Sequence, residues 1–149
     1  IMPSGGTSPG GSSGGDNTVR HWDMATGELI ASFVGHSNAV RAVAISADGK
    51  TLVSGSWDST IKLWDLVSGE LTATLSGHSD RVVSLAISPD GKTLASSSVD
   101  STLKLWNLEN NKLIKTLDNS DGWVLAVDFD SIEQTLVSGG KNKEIKIWQ

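Results

Sequence analysis

The sequence predicts an all-β chain built from repeated four-stranded antiparallel units. Three observations carry that prediction. Landmark residues recur every 42 positions: Trp22, Trp64, Trp106 and Trp148, then Gly35-His36 and Gly77-His78, then Asp48-Gly49 and Asp90-Gly91. Short stretches alternate apolar with polar residues and are closed by turn pairs, which is the pattern of half-buried strands. No segment keeps the 3.6-residue apolar period of an amphipathic helix over three turns. Laying residues 35–76 over 77–118 without a gap gives 24 identities in 42 positions, so these are two copies of one unit.

The elements follow in order. Residues 1–11 are Gly, Ser, Thr and Pro behind Ile1-Met2, with no charged start and no apolar core, so they are not a signal peptide. Such residues lose much chain entropy on ordering and bury little, and a flexible leader or the scar of a truncation is expected there. Residues 12–34 supply the last part of a unit, with strands at about 17–23 and 27–34. Residues 35–76 are a full unit. Its strands are 40–45, 51–56, 60–64 and 71–75, with Asp48-Gly49 and Ser68-Gly69 as turns. Residues 77–118 repeat it. Residues 119–149 offer three strands and lack the outermost one.

Composition narrows the function classes. The 149 residues suit one ordinary domain. Twelve basic residues against seventeen acidic give a net charge of −5, so nucleic acid and anionic membrane are not expected partners. The longest apolar runs are four or five residues, far short of a membrane span. With no signal or spanning segment in these residues, the expected compartment is the cytoplasm. There is no Cys, hence no disulfide and no thiolate chemistry. The Gly-rich residues 10–15 are followed by no Lys-Ser/Thr and make no phosphate loop. Three His without short spacing make no metal site. Asp128 and Asp130 read as turn-flanking carboxylates and not as an acid/base pair. No cofactor is expected.

The span from Gly35-His36 to Trp64-Asp65, and again from Gly77-His78 to Trp106-Asn107, resembles a WD-repeat β-propeller. Weaker copies end at Trp22-Asp23 and Trp148-Gln149. The resemblance covers about residues 12–149 and implies blades of four antiparallel strands. It also implies a structural hydrogen-bond tetrad in each full blade: His36, Ser54, Asp58 and Trp64, then His78, Ser96, Asp100 and Trp106. In such a tetrad the Asp accepts from His, His meets Ser, and Ser meets the indole N–H. An enzyme needs one site and not identical copies 42 residues apart, which argues against reading His, Ser and Asp as a catalytic triad. The outer units depart from the pattern. The last has Ser120 and Asn142 in place of His and Asp but keeps Ser138 and Trp148. The first keeps Ser12, Asp16 and Trp22 without a preceding Gly-His. The outer units are therefore expected to be less tightly tied, and His21 to pack or face solvent.

The resemblance further implies a protein-binding face at the third and fifth residues after the Gly-His histidine and at the residue before the turn Asp. In this chain those are Ala39, Arg41 and Trp57, then Arg81, Val83 and Val99, then Trp123, Leu125 and Lys141. Trp57 stands where the other copies have Val99 and Lys141, and Trp123 where they have Ala39 and Arg81. The repeat itself does not demand Trp at these places. Either recognition or packing against a neighbouring blade explains them, and Trp and Arg are the types enriched at binding hot spots. Arg41 and Arg81 could pair with acidic or phosphorylated partner residues.

The expected function is a rigid, non-enzymatic scaffold binding other proteins or peptides. The alternatives are a regulatory or targeting portion of a larger enzyme, such as a kinase or hydrolase, and a self-assembling repeat module. The strands are too few for a closed ring, since propellers have 4–8 blades. An incomplete ring is expected, either as the C-terminal part of a longer propeller or closed by association of copies. Residues 29–34 could complete the last blade.

Overall fold

A strand whose alternate side chains are apolar buries one face and must stack that face on another sheet. The computed structural model shows this stacking. It describes residues 17–118, 122–131 and 135–149, and the backbone of residues 2–5. The described residues contain strands and turns but no helix, and thus no helix long and apolar enough to cross a membrane.

Four antiparallel sheets follow one another along the chain. The first holds β1 (Met2–Gly5), β2 (Thr18–Trp22) and β3 (Leu29–Val34). The second holds β4 (Val40–Ile45), β5 (Thr51–Ser56), β6 (Thr60–Asp65) and β7 (Leu71–Ser76). The third holds β8 (Val82–Ile87), β9 (Thr93–Ser98), β10 (Thr102–Asn107) and β11 (Lys112–Asp118). The fourth holds β12 (Val124–Phe129), β13 (Leu136–Gly140) and β14 (Ile145–Trp148). Within each sheet every strand pairs with its neighbour in sequence, so each sheet is an antiparallel meander.

The turns explain the repeat's fixed residues. Gly49 and Gly91 sit at φ 72° and 74°, which costs glycine little. Asp48 and Asp90 hold those turns by accepting from the Ser46 and Ser88 hydroxyls and from the amides of Lys50 and Lys92. The turn after the second strand of each full sheet also needs a left-handed residue. Ser59 (φ 72°), Ser101 (φ 71°) and Lys143 (φ 67°) take that conformation 42 residues apart, with no glycine to ease it.

Three apolar seams join the sheets. Val19 and Phe33 of the first sheet meet Leu52 and Trp64 of the second. Val53, Ile61 and Leu63 of the second meet Leu94 and Trp106 of the third. Ala95 and Leu103 of the third meet Val124, Val127 and Leu136 of the fourth. The second and third sheets thus each offer one face to the sheet before and the other to the sheet after. The arrangement is an open, unclosed series of antiparallel sheets.

Two expectations are corrected. Residues 2–5 are not part of a flexible leader: they form β1, pairing antiparallel with β2 from Met2–Trp22 to Gly5–Val19. Backbone pairing along the open edge of β2 needs no apolar side chains, so composition did not signal it. Residues 6–11 lie outside the described residues. Nor does the strand at 29–34 complete the last sheet. It pairs with β2 through a short hairpin and buries Phe33 against Trp64 at 5.5 Å between ring centroids. Closing a short loop costs less entropy than spanning the molecule. Of the two alternatives for His21, packing is the one observed. It is buried at the position equivalent to Leu63, and neither ring nitrogen finds a hydrogen-bond partner.

Candidate functional site

The polar residues repeated every 42 positions converge at one end of the second and third sheets. His36 lies in the loop entering β4, Ser54 on β5, Asp58 at the β5–β6 turn and Trp64 on β6. The Trp64 indole N–H donates to Ser54 Oγ at 2.9 Å. Ser54 and His36 Nε2 are 2.8 Å apart, and His36 Nδ1 and Asp58 Oδ2 are 2.8 Å apart. A carboxylate only accepts, so Nδ1 carries the proton and Nε2 accepts from the Ser54 hydroxyl. His78, Ser96, Asp100 and Trp106 repeat the geometry at 2.8, 2.8 and 2.8 Å.

Neighbours complete each set. Asp58 also accepts from the Ser37 amide and from the amide and hydroxyl of Thr60. Ser56 accepts from the Asp58 amide and donates to the Asn38 carbonyl. Ser98 and Thr102 do the same work around Asp100. The sequence reading missed these Ser and Thr residues, although their recurrence at the same interval was a usable signal.

Electrostatics fit a structural role. Burial pulls His36 and His78 below their ordinary value, and the hydrogen bonds to Asp58 and Asp100 offset this only in part. Burial pushes Asp58 and Asp100 up, but the hydrogen bonds from Thr60, His36 and Ser37, and from Thr102 and His78, outweigh it and hold both low. Neutral imidazole beside carboxylate is therefore the resting state. Each Ser hydroxyl is engaged on both sides and is not free to attack a substrate.

Among the described residues the fourth sheet keeps one link of this chain: Trp148 Nε1 donates to Ser138 Oγ at 2.9 Å. Asn142 turns to Glu144 instead, accepting from its amide and donating to its carboxylate. Ser120, Ser12 and Asp16 lie outside the described residues.

The candidate face residues occupy the same end of the sheets. A backbone bond ties them in pairs: the Trp57 amide donates to the Ala39 carbonyl, Val99 to Arg81, and Lys141 to Trp123. Ala39 is buried, Val83 and Val99 are half-buried, and Arg41, Arg81, Leu125 and Lys141 are exposed. Trp57 is half-buried, with the Arg41 guanidinium 4.2 Å and the Arg81 guanidinium 4.5 Å from its ring centroid. Arg41 comes from the same sheet and Arg81 from the next. Trp123 is 44% exposed, with Lys141 Nζ 4.4 Å from its centroid. We call this end the rim.

The opposite end carries an open cleft between the turns at Asp48 and Asp90. Both carboxylates there are already satisfied by the turns. No group of three metal-ligating side chains occurs among the described residues.

Repeated tetrads between stacked four-stranded sheets invite comparison with known repeats. The family described as WD domain, G-beta repeat matches residues 27–65, 69–107 and 111–149. The chain belongs to the WD-repeat family. Among curated WD-repeat relatives, the Lissencephaly-1 homolog of Dictyostelium discoideum is 46% identical over 39 residues, covering 26% of this chain and 9% of that protein. The nuclear distribution protein PAC1 of Komagataella phaffii is 46% identical over 41 residues, covering 28% and 8%. The guanine nucleotide-binding protein subunit beta of Schizosaccharomyces pombe is 38% identical over 42 residues, covering 28% and 14%. The matches thus span about a tenth of the length of these relatives. Each matched WD repeat opens on the outermost strand of one sheet and closes on the third strand of the next: 27–65 takes in β3 with β4, β5 and β6. The repeat of the sequence and the sheet of the structure are out of phase by one strand.

Proposed function

We propose that this WD-repeat chain is a scaffold that binds other proteins or peptides through its rim. One observation carries the reading: Trp57 and Trp123, which the repeat does not require, both stand at the rim with cationic side chains stacked on them. The tetrad of the second sheet supports the turn that displays Trp57, since Asp58 accepts from the amide and hydroxyl of Thr60 there. Membership of a family of repeated interaction units supports the general role. The partner's identity belongs to experiment. The test compares proteins retained by the full chain with those retained by Trp57→Ala with Arg81→Ala, and by a control change at the opposite end, Lys50→Ala. Loss of the retained set in the rim variant alone is expected. An unchanged set with a folded rim variant overturns the reading.

A second reading, self-association of the repeat module, has its own observation. Ile145 is 76% exposed, whereas its equivalents Ile61 and Leu103 are fully buried against the next sheet, and Ile147 is 66% exposed, where its equivalents Leu63 and Leu105 are buried and half-buried. A Cβ at Gly55 would meet Val82 at 2.7 Å, whereas one at the equivalent Gly139 would meet nothing. The fourth sheet therefore presents an uncovered copy of a face that elsewhere receives a neighbour. Sedimentation should show concentration-dependent mass that Ile147→Lys abolishes. A monomer at every concentration rejects this reading.

A further inference from the structure

We infer that the rim takes an extended acidic peptide segment, with carboxylate side chains meeting Arg41, Arg81 and Lys141 in turn. This rests on the rim being the binding surface and adds the chemistry of what binds there.

The chain is acidic overall, yet its rim gathers cations at the positions where the three WD copies differ. Both guanidinium carbons lie within 4.5 Å of the centre of one indole. Two like charges so placed repel each other, and the indole face offsets that only in part. Among the described residues neither Arg41 nor Arg81 has a carboxylate at ion-pair distance, and Lys141 has none either. The exposed Asp80 beside them uses a carboxylate oxygen on the Arg81 amide. The cations are therefore pre-positioned and unneutralised. An anion placed across them would relieve the repulsion and gain charge-assisted hydrogen bonds.

The layout selects the kind of anion. The three cations come from three successive sheets: Arg41 from the second, Arg81 from the third and Lys141 from the fourth. Arg41 and Arg81 share the Trp57 indole, whereas Lys141 stands on Trp123 beside the fourth sheet, so a ligand that meets all three must run from sheet to sheet and carry more than one anionic group. A chain in extended conformation repeats side chains on one side about every 7 Å and can follow such a row. Trp57 and Trp123 lie along the row and offer apolar surface to the peptide's stems and backbone.

The experiment titrates the full chain at low salt with a short peptide alternating Glu and Gly. The Trp57 and Trp123 indole N–H resonances are followed by NMR. Two other peptides serve as arms: one with Gln in place of Glu, and one with a single phosphoserine and Gln elsewhere. The Glu peptide is expected to shift both indole resonances and to lose affinity as salt rises. Arg41→Gln with Arg81→Gln should weaken it about tenfold, as expected for two rim ion pairs. These side chains are exposed, and an unchanged melting curve confirms that the variant folds. The inference is overturned if the phosphoserine peptide binds more tightly than the Glu peptide, or if the double variant binds the Glu peptide unchanged. A Gln peptide that shifts both indoles as strongly as the Glu peptide rejects the acidic preference while leaving the rim as the binding surface. A Glu peptide that leaves both indole resonances unmoved rejects the rim as well.

Discussion

In the second sheet an unbroken chain of hydrogen bonds runs from the Trp64 indole through Ser54 and His36 to Asp58. In the fourth sheet the described part of that chain is the single bond from Trp148 to Ser138. The first three strands follow the same plan, and Ser138 and Trp148 keep their relative positions. The two sheets differ in what ties the entering loop and the turn to the strands behind them. His36 and Asp58 do this in the second sheet, whereas the described bonds of Asn142 run along its own turn to Glu144. Apolar seams can therefore build the sheet, while the tetrad fixes its ends.

The largest expected effect breaks the stronger side of the comparison. His36→Ala leaves Asp58 and Ser54 short of partners in a buried place, and should cost about 1–3 kcal/mol in a denaturant melt. Trp148→Phe removes one hydrogen bond from a half-buried site and should cost about 1 kcal/mol. Equal losses would mean that the tetrad adds nothing to the Trp–Ser link.

Acid should sharpen the same contrast. His36 and His78 are held below their ordinary 6.5 in the folded chain, so the unfolded chain takes up protons first. Stability should fall as pH drops from about 6.5 toward the lower folded value. Asp58 and Asp100, held below 3.8, add a second loss as pH falls through that region. Thermal melts of the chain and of a variant with both histidines changed to Gln should diverge most above pH 6.5 and converge on acidification. Rising stability on mild acidification would show that the imidazoles are charged in the folded state, contrary to this account.

His21 gives the comparison its opposite sign. It occupies an apolar seam position with both ring nitrogens unpartnered, where the equivalent residue in the second sheet is Leu63. His21→Leu should raise stability by about 1 kcal/mol, read as a higher melting temperature. A loss on that change would mean that the imidazole has a role at this seam. The smallest effect is expected at Ser97, whose buried hydroxyl lacks a partner and whose equivalents are Gly55 and Gly139. Ser97→Ala should gain less than about 1 kcal/mol.

Much of this was legible because the sequence states it repeatedly. The 42-residue interval marks the strands, their turns and the positions of His36, Ser54, Asp58 and Trp64. Features that occur once were harder to read. β1 forms through backbone pairing, which leaves no apolar pattern behind. His21 looks like a surface residue in isolation and is buried only because it occupies Leu63's place in the strand. At the rim, the individual residues were readable as departures from the repeat. Their joining was not: Arg41 and Arg81 meet on Trp57 across the seam between two sheets, and no local spacing encodes that contact. Ser56, Ser98, Thr60 and Thr102 were visible at the right interval but are too common in strands and turns to stand out.

The one-strand phase difference between WD repeat and sheet has a further consequence for how such a chain can grow or shrink. Excising residues 27–68 would remove β3 together with β4, β5 and β6, and leave β7 to follow β2 directly. β7 would then take the vacated edge of β2, and the chain would run on into the third sheet with no ragged end. Gene duplication or loss in steps of this length would thus splice whole sheets in or out, because every junction mends itself with the strand left behind.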